Sequence, residues 1–217
     1  MPGLIIPQGY DNGLFELPTP KLRKPKIARV EVVTGPMGAG KSSYLARAAW
    51  LTYVINRGEA NIMGTFALNI PGYVEIDKDS LVEMYVDEDP FLQDGMILMD
   101  EGYAYMDSRL SQSYLNRFMN RFAKFVRKMN LYVIISAHNE TMLDKRIRQS
   151  MTKKVQMVPP YDTVNHVASA LIFPINPPKP KYAESYYMAP YYGLFDTDEK
   201  VSTGGKTDNW KKLKEKM

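Results

Sequence analysis

Short apolar runs and longer amphipathic stretches alternate through the middle of the chain. Ala28–Thr34 (ARVEVVT) is a short β-branched run, and Gly95–Asp100 (GMILMD) and Leu131–Ser136 (LYVIIS) are mostly apolar runs ending in polar residues. That pattern predicts strands buried on both faces. A helix is predicted from Ser42 to Asn56, rich in Ala and Leu and closed by Gly58. A weaker strand follows at Asn61–Leu68, then short helices at Ser80–Tyr85 and Thr141–Ser150, with a longer helix at Leu115–Met129 between them and a strand near Lys154–Val158. Strands alternating with helices indicate an α/β fold, a mainly parallel sheet flanked by helices.

The ends break this pattern. Residues 1–26 hold Pro2, Pro7, Pro18, Pro20 and Pro25 among glycines and read as an extended arm. After Pro174, prolines mix with Tyr182, Tyr186, Tyr187, Tyr191 and Tyr192, and Lys206–Lys216 is lysine-rich around Trp210. The expected organisation is an arm over 1–26, one domain over 27–175, and a Pro/Tyr-rich extension with a basic tail over 176–217.

Composition narrows the class. With 45% hydrophobic and 24% charged residues in 217, the chain is not disordered as a whole. It has no cysteine, which excludes a disulfide scaffold, a thiolate metal site and a cysteine nucleophile. The longest apolar run, around Val167–Phe173, is too short to cross a bilayer, and the amino-terminal sequence does not read as a signal peptide. A soluble intracellular protein is expected. The net charge of +4 conceals blocks: −10 over residues 71–108 and +9 over 109–154. Such asymmetry fits an acidic partner or pairing between subunits, and equally faces of one domain that offset each other.

Candidate chemistry begins at Gly35-Pro36-Met37-Gly38-Ala39-Gly40-Lys41-Ser42, followed by Ser43. It matches G-x-x-x-x-G-K-[ST] between a predicted strand and a predicted helix. Glycines let backbone N–H groups curl around a phosphate, and the helix start adds free donors. Lys41 would reach the β- and γ-phosphates and the Ser42 hydroxyl would ligate Mg²⁺, so ATP and Mg²⁺ are the expected cofactors. About 60 residues past the loop, a buried strand delivers Asp100 and Glu101 to the sheet's carboxyl edge. Asp100 would join the Mg²⁺ shell and Glu101 would polarise an attacking water.

The third strand also ends in polar residues, Ser136-Ala137-His138-Asn139. In phosphate-loop ATPases with a strand added between the Walker A and Walker B strands, a polar residue here senses the γ-phosphate. Both His138 and Asn139 are candidates, and a helix cap is the competing role. Arg117, Arg121, Lys124 and Lys128 fall on one helix face beside the apolar stripe Phe118, Phe122, Phe125 and Met129. That basic face could neutralise nucleic-acid phosphates or meet solvent or another subunit. In the second basic cluster, Lys145-Arg146-Ile147-Arg148, either Arg146 or Arg148 could reach a neighbour's γ-phosphate as an arginine finger. Nucleic-acid contact and solvation compete with that role.

The order GPMGAGKS, MILMDE, Asp107-Ser108-Arg109, Arg127-Lys128, YVIISAH and Leu143-Asp144-Lys145-Arg146-Ile147-Arg148 resembles the FtsK–HerA-like viral genome-packaging ATPases over about residues 28–158. Related to these are the zonula-occludens-toxin-like ATPases of filamentous phages, with which Gly193-Leu194-Phe195-Asp196-Thr197 shares a short element. The family often has Gln where this chain has His138. The resemblance implies a P-loop NTPase with the strand Leu131–Ser136 between the Walker A and Walker B strands. It further implies a homo-oligomeric ring that hydrolyses ATP and drives double-stranded DNA into a preformed capsid, meeting capsid or membrane vertex proteins. The location implied is the cytoplasm of an infected host cell or the packaging vertex of the virion. The toxin-like branch carries a membrane span, absent from this sequence, so the packaging branch is expected. Type II thymidine kinases are the rival resemblance, through the GPM…GKS loop and the Asp100-Glu101-Gly102 turn. They usually carry a four-cysteine zinc site, and this chain has no cysteine.

Overall fold

A computed structural model describes residues 28–102, 124–162 and 164–195. The strands are β1 (Arg29–Thr34), β2 (Ile62–Gly64), β3 (Val74–Glu75), β4 (Met96–Met99), β5 (Tyr132–Ala137), β6 (Lys153–Asp162), β7 (Val167–Pro174) and β8 (Tyr182–Tyr187). The helices are α1 (Lys41–Ile55), α2 (Lys78–Val86) and α3 (Lys145–Ser150), with a further helical segment over residues 124–128. All eight strands join one sheet in the order β3-β2-β4-β5-β1-β6-β7-β8. Pairing is parallel from β3 through to β6 and antiparallel for β6–β7 and β7–β8. The third apolar run, β5, thus lies between the phosphate-loop strand β1 and the acidic strand β4, as the sequence predicts.

The apolar runs are continuous in the middle strands because both sheet faces are covered there. In β4, Ile97 and Met99 join one buried cluster while Met96 and Leu98 join the other. The first cluster packs Leu81 and Met84 of α2, Phe125, Val126 and Met129, and Ile147 of α3 against the sheet. The second packs Tyr44, Leu45, Ala46 and Ala49 of α1 against the opposite face. The predicted apolar stripe is core where it can be followed, at Phe125 and Met129; Phe118 and Phe122 lie outside the described residues.

Three elements differ from expectation. The weak strand over 61–68 shortens to Ile62–Gly64. A Cβ on Gly64 would lie 2.5 Å from the Tyr73 hydroxyl and 2.7 Å from the Leu98 carbonyl, so the chain passes there only as glycine. The helix predicted over 141–150 divides into a 3-10 turn, Glu140–Met142, and α3. Asp144 makes the break, because its carboxylate accepts the Arg146 N–H and starts a new helix. Finally, the sheet continues past residue 175, where the sequence places the end of the domain. β8 pairs with β7, and the 3-10 turn Ala189–Leu194 packs on α1. The Asn69 N–H donates to the Leu194 carbonyl at 2.7 Å, fastening that turn to the core. The arm over 1–26 and the lysine-rich tail lie outside the described residues. Among the described residues no helix is long and apolar enough to cross a membrane.

Candidate functional site

Parallel strands bring the ends of β1, β4 and β5 to one sheet edge, where the motif residues collect. The loop Gly35–Ser42 leaves β1 there. Gly38 (φ 73) and Gly40 (φ 86) take left-handed conformations that a side chain would resist. Met37 is 83% exposed at the loop's tip, whereas Ala39 is buried against the core. Pro36 accepts the Ala39 N–H at 3.3 Å, and Gly40 stands as N-cap of α1. Ser43 is half-buried in its first turn.

Lys41 is buried, and its ammonium donates to the Gly35 and Pro36 carbonyls at 3.0 and 2.9 Å. Burial pushes its pKa down, while Asp100 and Glu101 draw it back up. The acidic residues therefore lie within electrostatic reach of the loop lysine. The Ser42 hydroxyl donates to Asp100 Oδ2 at 2.6 Å, joining the helix start to the end of β4. These are the residues that the sequence nominates for Mg²⁺. A hydroxyl and a carboxylate are hard oxygen donors, which fits an ion held by one carboxylate together with substrate phosphates.

Behind the motif residues stand two to which the sequence reading assigns no role. Thr65, just after β2, accepts the Asp100 N–H on its hydroxyl at 3.1 Å. Ser136, near the end of β5, donates to Asp100 Oδ1 and accepts the Glu101 N–H at 2.9 Å. Both are buried, and only their place opposite the end of β4 in the sheet could have singled them out. Glu101 itself adopts φ 48, and its carboxylate lies 3.9 Å from His138 Nε2. Of the two sensor candidates, His138 is thus the one beside Glu101. Asn139 accepts the Thr141 N–H at 3.1 Å and caps the 3-10 turn.

Beside the loop, a cavity of about 390 Å³ opens between the ends of β5, β1 and β6. His138, Asn139, Glu140, Lys154 and Gln156 line it together with Gly35 and Pro36. Lys154 and Glu140 pair at 2.7 Å on its wall.

The basic candidates are placed differently. The Arg146 guanidinium grips Asp144 of its own chain through Nε and one terminal nitrogen, both at 2.7 Å. That hydrogen bonding holds the Asp144 carboxyl below the usual carboxylate range. Arg148 Nε donates to the Leu143 carbonyl at 3.2 Å. Lys124 and Lys128 are exposed, and Lys128 pairs with Glu88 after α2. One member of the predicted basic face is thereby matched by the acidic segment of the same chain. Arg117 and Arg121 lie outside the described residues.

A buried brace underlies the loop's helix. Glu31 in β1 is 1% exposed, accepts the Tyr44 and Tyr132 hydroxyls at 2.5 and 2.6 Å, and pairs with Lys153 at 2.7 Å. Burial first, and the Glu31 carboxylate second, push both tyrosine pKa values far up, so both remain protonated donors. Farther along α1, Arg47 bonds Glu184 of β8 at 2.9 Å and lies 4.4 Å from the Tyr186 ring centre.

A phosphate loop between β1 and α1, an acidic strand one place removed and β5 between them decide the fold. The chain has the fold of a P-loop NTPase. No family model matches it, and no curated protein matches it by sequence. This P-loop fold is similar to the N-terminal domain of zonular occludens toxin from Neisseria meningitidis, with a TM-score of 0.61 at 15% identity, over 78% of this chain and 100% of that one. It is also similar to the genome packaging NTPase B204 from Sulfolobus turreted icosahedral virus 2 in complex with ATP-gammaS. There the TM-score is 0.54 at 12% identity, over 74% of this chain and 98% of that one. A further structure of B204, described as the DNA-packaging ATPase from Sulfolobus turreted icosahedral virus, gives 0.53 at 12% identity over the same shares. These P-loop folds represent the two branches that the sequence resembles.

Proposed function

We propose that this chain is an ATP-hydrolysing motor that moves viral double-stranded DNA into a preformed capsid, acting as a ring of its own copies. The carrying observation is the junction of Ser42 with Asp100 beside buried Lys41, with Glu101 as the next residue. Loop N–H groups and the Lys41 ammonium are suited to a triphosphate, the ammonium exchanging loop carbonyls for phosphate oxygens. Bound Mg²⁺, held by Ser42 and through Asp100, would offset charge on the β- and γ-phosphates. Glu101 would accept a hydrogen bond from the attacking water and orient it, with His138 beside the carboxylate to sense the γ-phosphate. Arg146 or Arg148 would act on a neighbour's nucleotide only by leaving the partners they hold in their own chain.

The DNA and capsid parts of the proposal are supported by likeness to B204, named a DNA-packaging ATPase, and by exposed Lys124 on the basic face. Work in the host cytoplasm or at the virion's packaging vertex, with vertex proteins as partners, follows from the same reading. A second reading, an ATPase for filamentous phage assembly, is favoured by one observation: the toxin domain's TM-score of 0.61 exceeds the 0.54 of B204.

The test is ATP hydrolysis by the purified protein with and without double-stranded DNA, beside a thymidine phosphorylation assay. Hydrolysis that rises with DNA is expected. Phosphorylated thymidine in place of hydrolysis would make the chain a nucleoside kinase, and hydrolysis indifferent to DNA would favour the assembly reading.

A further inference from the structure

The two oxygens of Asp100 have different neighbours. Oδ2 accepts the Ser42 hydroxyl at 2.6 Å, and Oδ1 accepts the hydroxyl of Ser136. Ser136 is fully buried in β5, and its oxygen also accepts the Glu101 N–H at 2.9 Å. That N–H reaches Asp100 Oδ1 as well, at 3.1 Å, so a side chain of β5, the Asp100 carboxylate and the Glu101 backbone close a small cycle. A serine hydroxyl has one proton and two lone pairs. Its proton is committed to Asp100, which leaves it an acceptor toward Glu101.

This asymmetry has consequences for both acidic residues. Ser42 can turn a lone pair toward a cation while its proton stays hydrogen-bonded to Oδ2. The bond from Ser136 to Oδ1 keeps the carboxylate aimed. Glu101, at φ 48, holds a left-handed conformation that a residue with a side chain adopts only at a cost. Two bonds from its own N–H sustain that conformation. The chain beyond it is equally confined, since a Cβ on Gly102 would lie 2.2 Å from Ile135 Cγ2.

We propose that Ser136 is a positioning residue that links the cation-side carboxylate to the presentation of Glu101, through one buried hydroxyl that contacts both. This rests on the hydrolytic reading above, and the experiment separates the two. A fluorescent ATP analogue is titrated into the full chain and into Ser136→Ala, with and without Mg²⁺, and turnover and melting temperature are followed in parallel. Without Mg²⁺ the two proteins should bind alike. The tightening that Mg²⁺ adds should fall about tenfold in the variant, the size of one hydrogen bond to a charged group. At saturating nucleotide and Mg²⁺ its kcat should still fall at least about tenfold, because the lost bond also positions Glu101 and not only the cation-side carboxylate. Ser136→Thr, which keeps the hydroxyl, should recover the Mg²⁺ response; if it does not fold, the comparison of Ser136→Ala with and without Mg²⁺ decides.

A variant that keeps the parental Mg²⁺ response and kcat overturns the proposal. So does equal weakening with and without Mg²⁺ that tracks a lower melting temperature, the behaviour of a merely structural serine. If the parent binds nucleotide with Mg²⁺ but hydrolyses none, the hydrolytic reading fails while the Mg²⁺ response still decides the role of Ser136. A parent that binds no nucleotide overturns both.

Discussion

The phosphate loop makes its cradle from one run of chain, Gly35 to Ser42, whereas the acidic end is assembled from Thr65, Asp100, Glu101 and Ser136, which lie far apart in sequence. The loop's conformation is written locally, in glycines at positive φ and a lysine that bonds its own loop's carbonyls. The acidic end exists only when β2, β4 and β5 pair in register, with Gly64 opposite Leu98 and Leu98 opposite Ile134. A slip of one residue would turn every side chain in a strand to the other face. The loop should therefore tolerate changes in the sheet that the acidic end does not.

The greatest effect is expected from Lys41→Ala, which removes the charge the loop was built to hold. Affinity for an ATP analogue should fall more than about 100-fold, as loss of a charge-assisted contact predicts; unchanged binding in a titration would remove Lys41 from the site. Glu101→Gln should divide the two ends cleanly. Nucleotide binding should persist while turnover falls about 100-fold or more, the share ascribed to a positioned general base. Surviving turnover would show that Glu101 does not activate the water.

Next comes the brace beneath the loop. Glu31→Ala leaves the Tyr44 and Tyr132 hydroxyls without their acceptor and Lys153 without its partner, and should cost about 3 kcal/mol in urea unfolding. A loss under about 1 kcal/mol would mean that water replaces the carboxylate. The smallest expected effect is that of Thr65→Val, nearly isosteric, which leaves the Asp100 N–H without its acceptor. It should cost about 1 kcal/mol and lower turnover more than nucleotide affinity. The reverse order, affinity falling first, would blur the distinction between the two ends.

The same contrast explains what could be read from sequence. The loop and the acidic pair are legible because local patterns encode them, and so are β1, β4 and β5, buried on both faces. Ser136 and Glu31 looked like ordinary strand residues. The partners that give Glu31 its role are 13 and 101 residues away for the two tyrosines, a distance at which no spacing rule operates. The late strands were obscured for another reason. β7 buries Ala168, Ala170 and Ile172 but leaves Leu171 exposed, the alternation of a sheet covered on one side. β8 lies in a stretch where proline and tyrosine dominate. Its place in the sheet depends on Arg47 and the Tyr44 ring, which Tyr186 meets edge-on at 5.9 Å between centroids. The division of residues 141–150 is a matter of scale, since one aspartate that can cap is enough to restart a helix.

The central position of β1 bears on how the chain is made. Among the described strands it is the first to be made, yet it lies between β5 and β6, and its Val30 N–H donates to the Thr152 hydroxyl, 122 residues later. A nascent chain that has just completed the phosphate loop therefore lacks both strands with which β1 pairs, β5 and β6. Nucleotide cannot find its whole site at that stage, because Asp100, Glu101 and Ser136 are made well after the loop. Long-range pairing of this kind is slow to form and leaves β-branched surface open to other chains meanwhile. The core that holds the loop thus becomes whole only once β5 and β6 have joined β1, and crowded synthesis of many copies is where its yield would be decided.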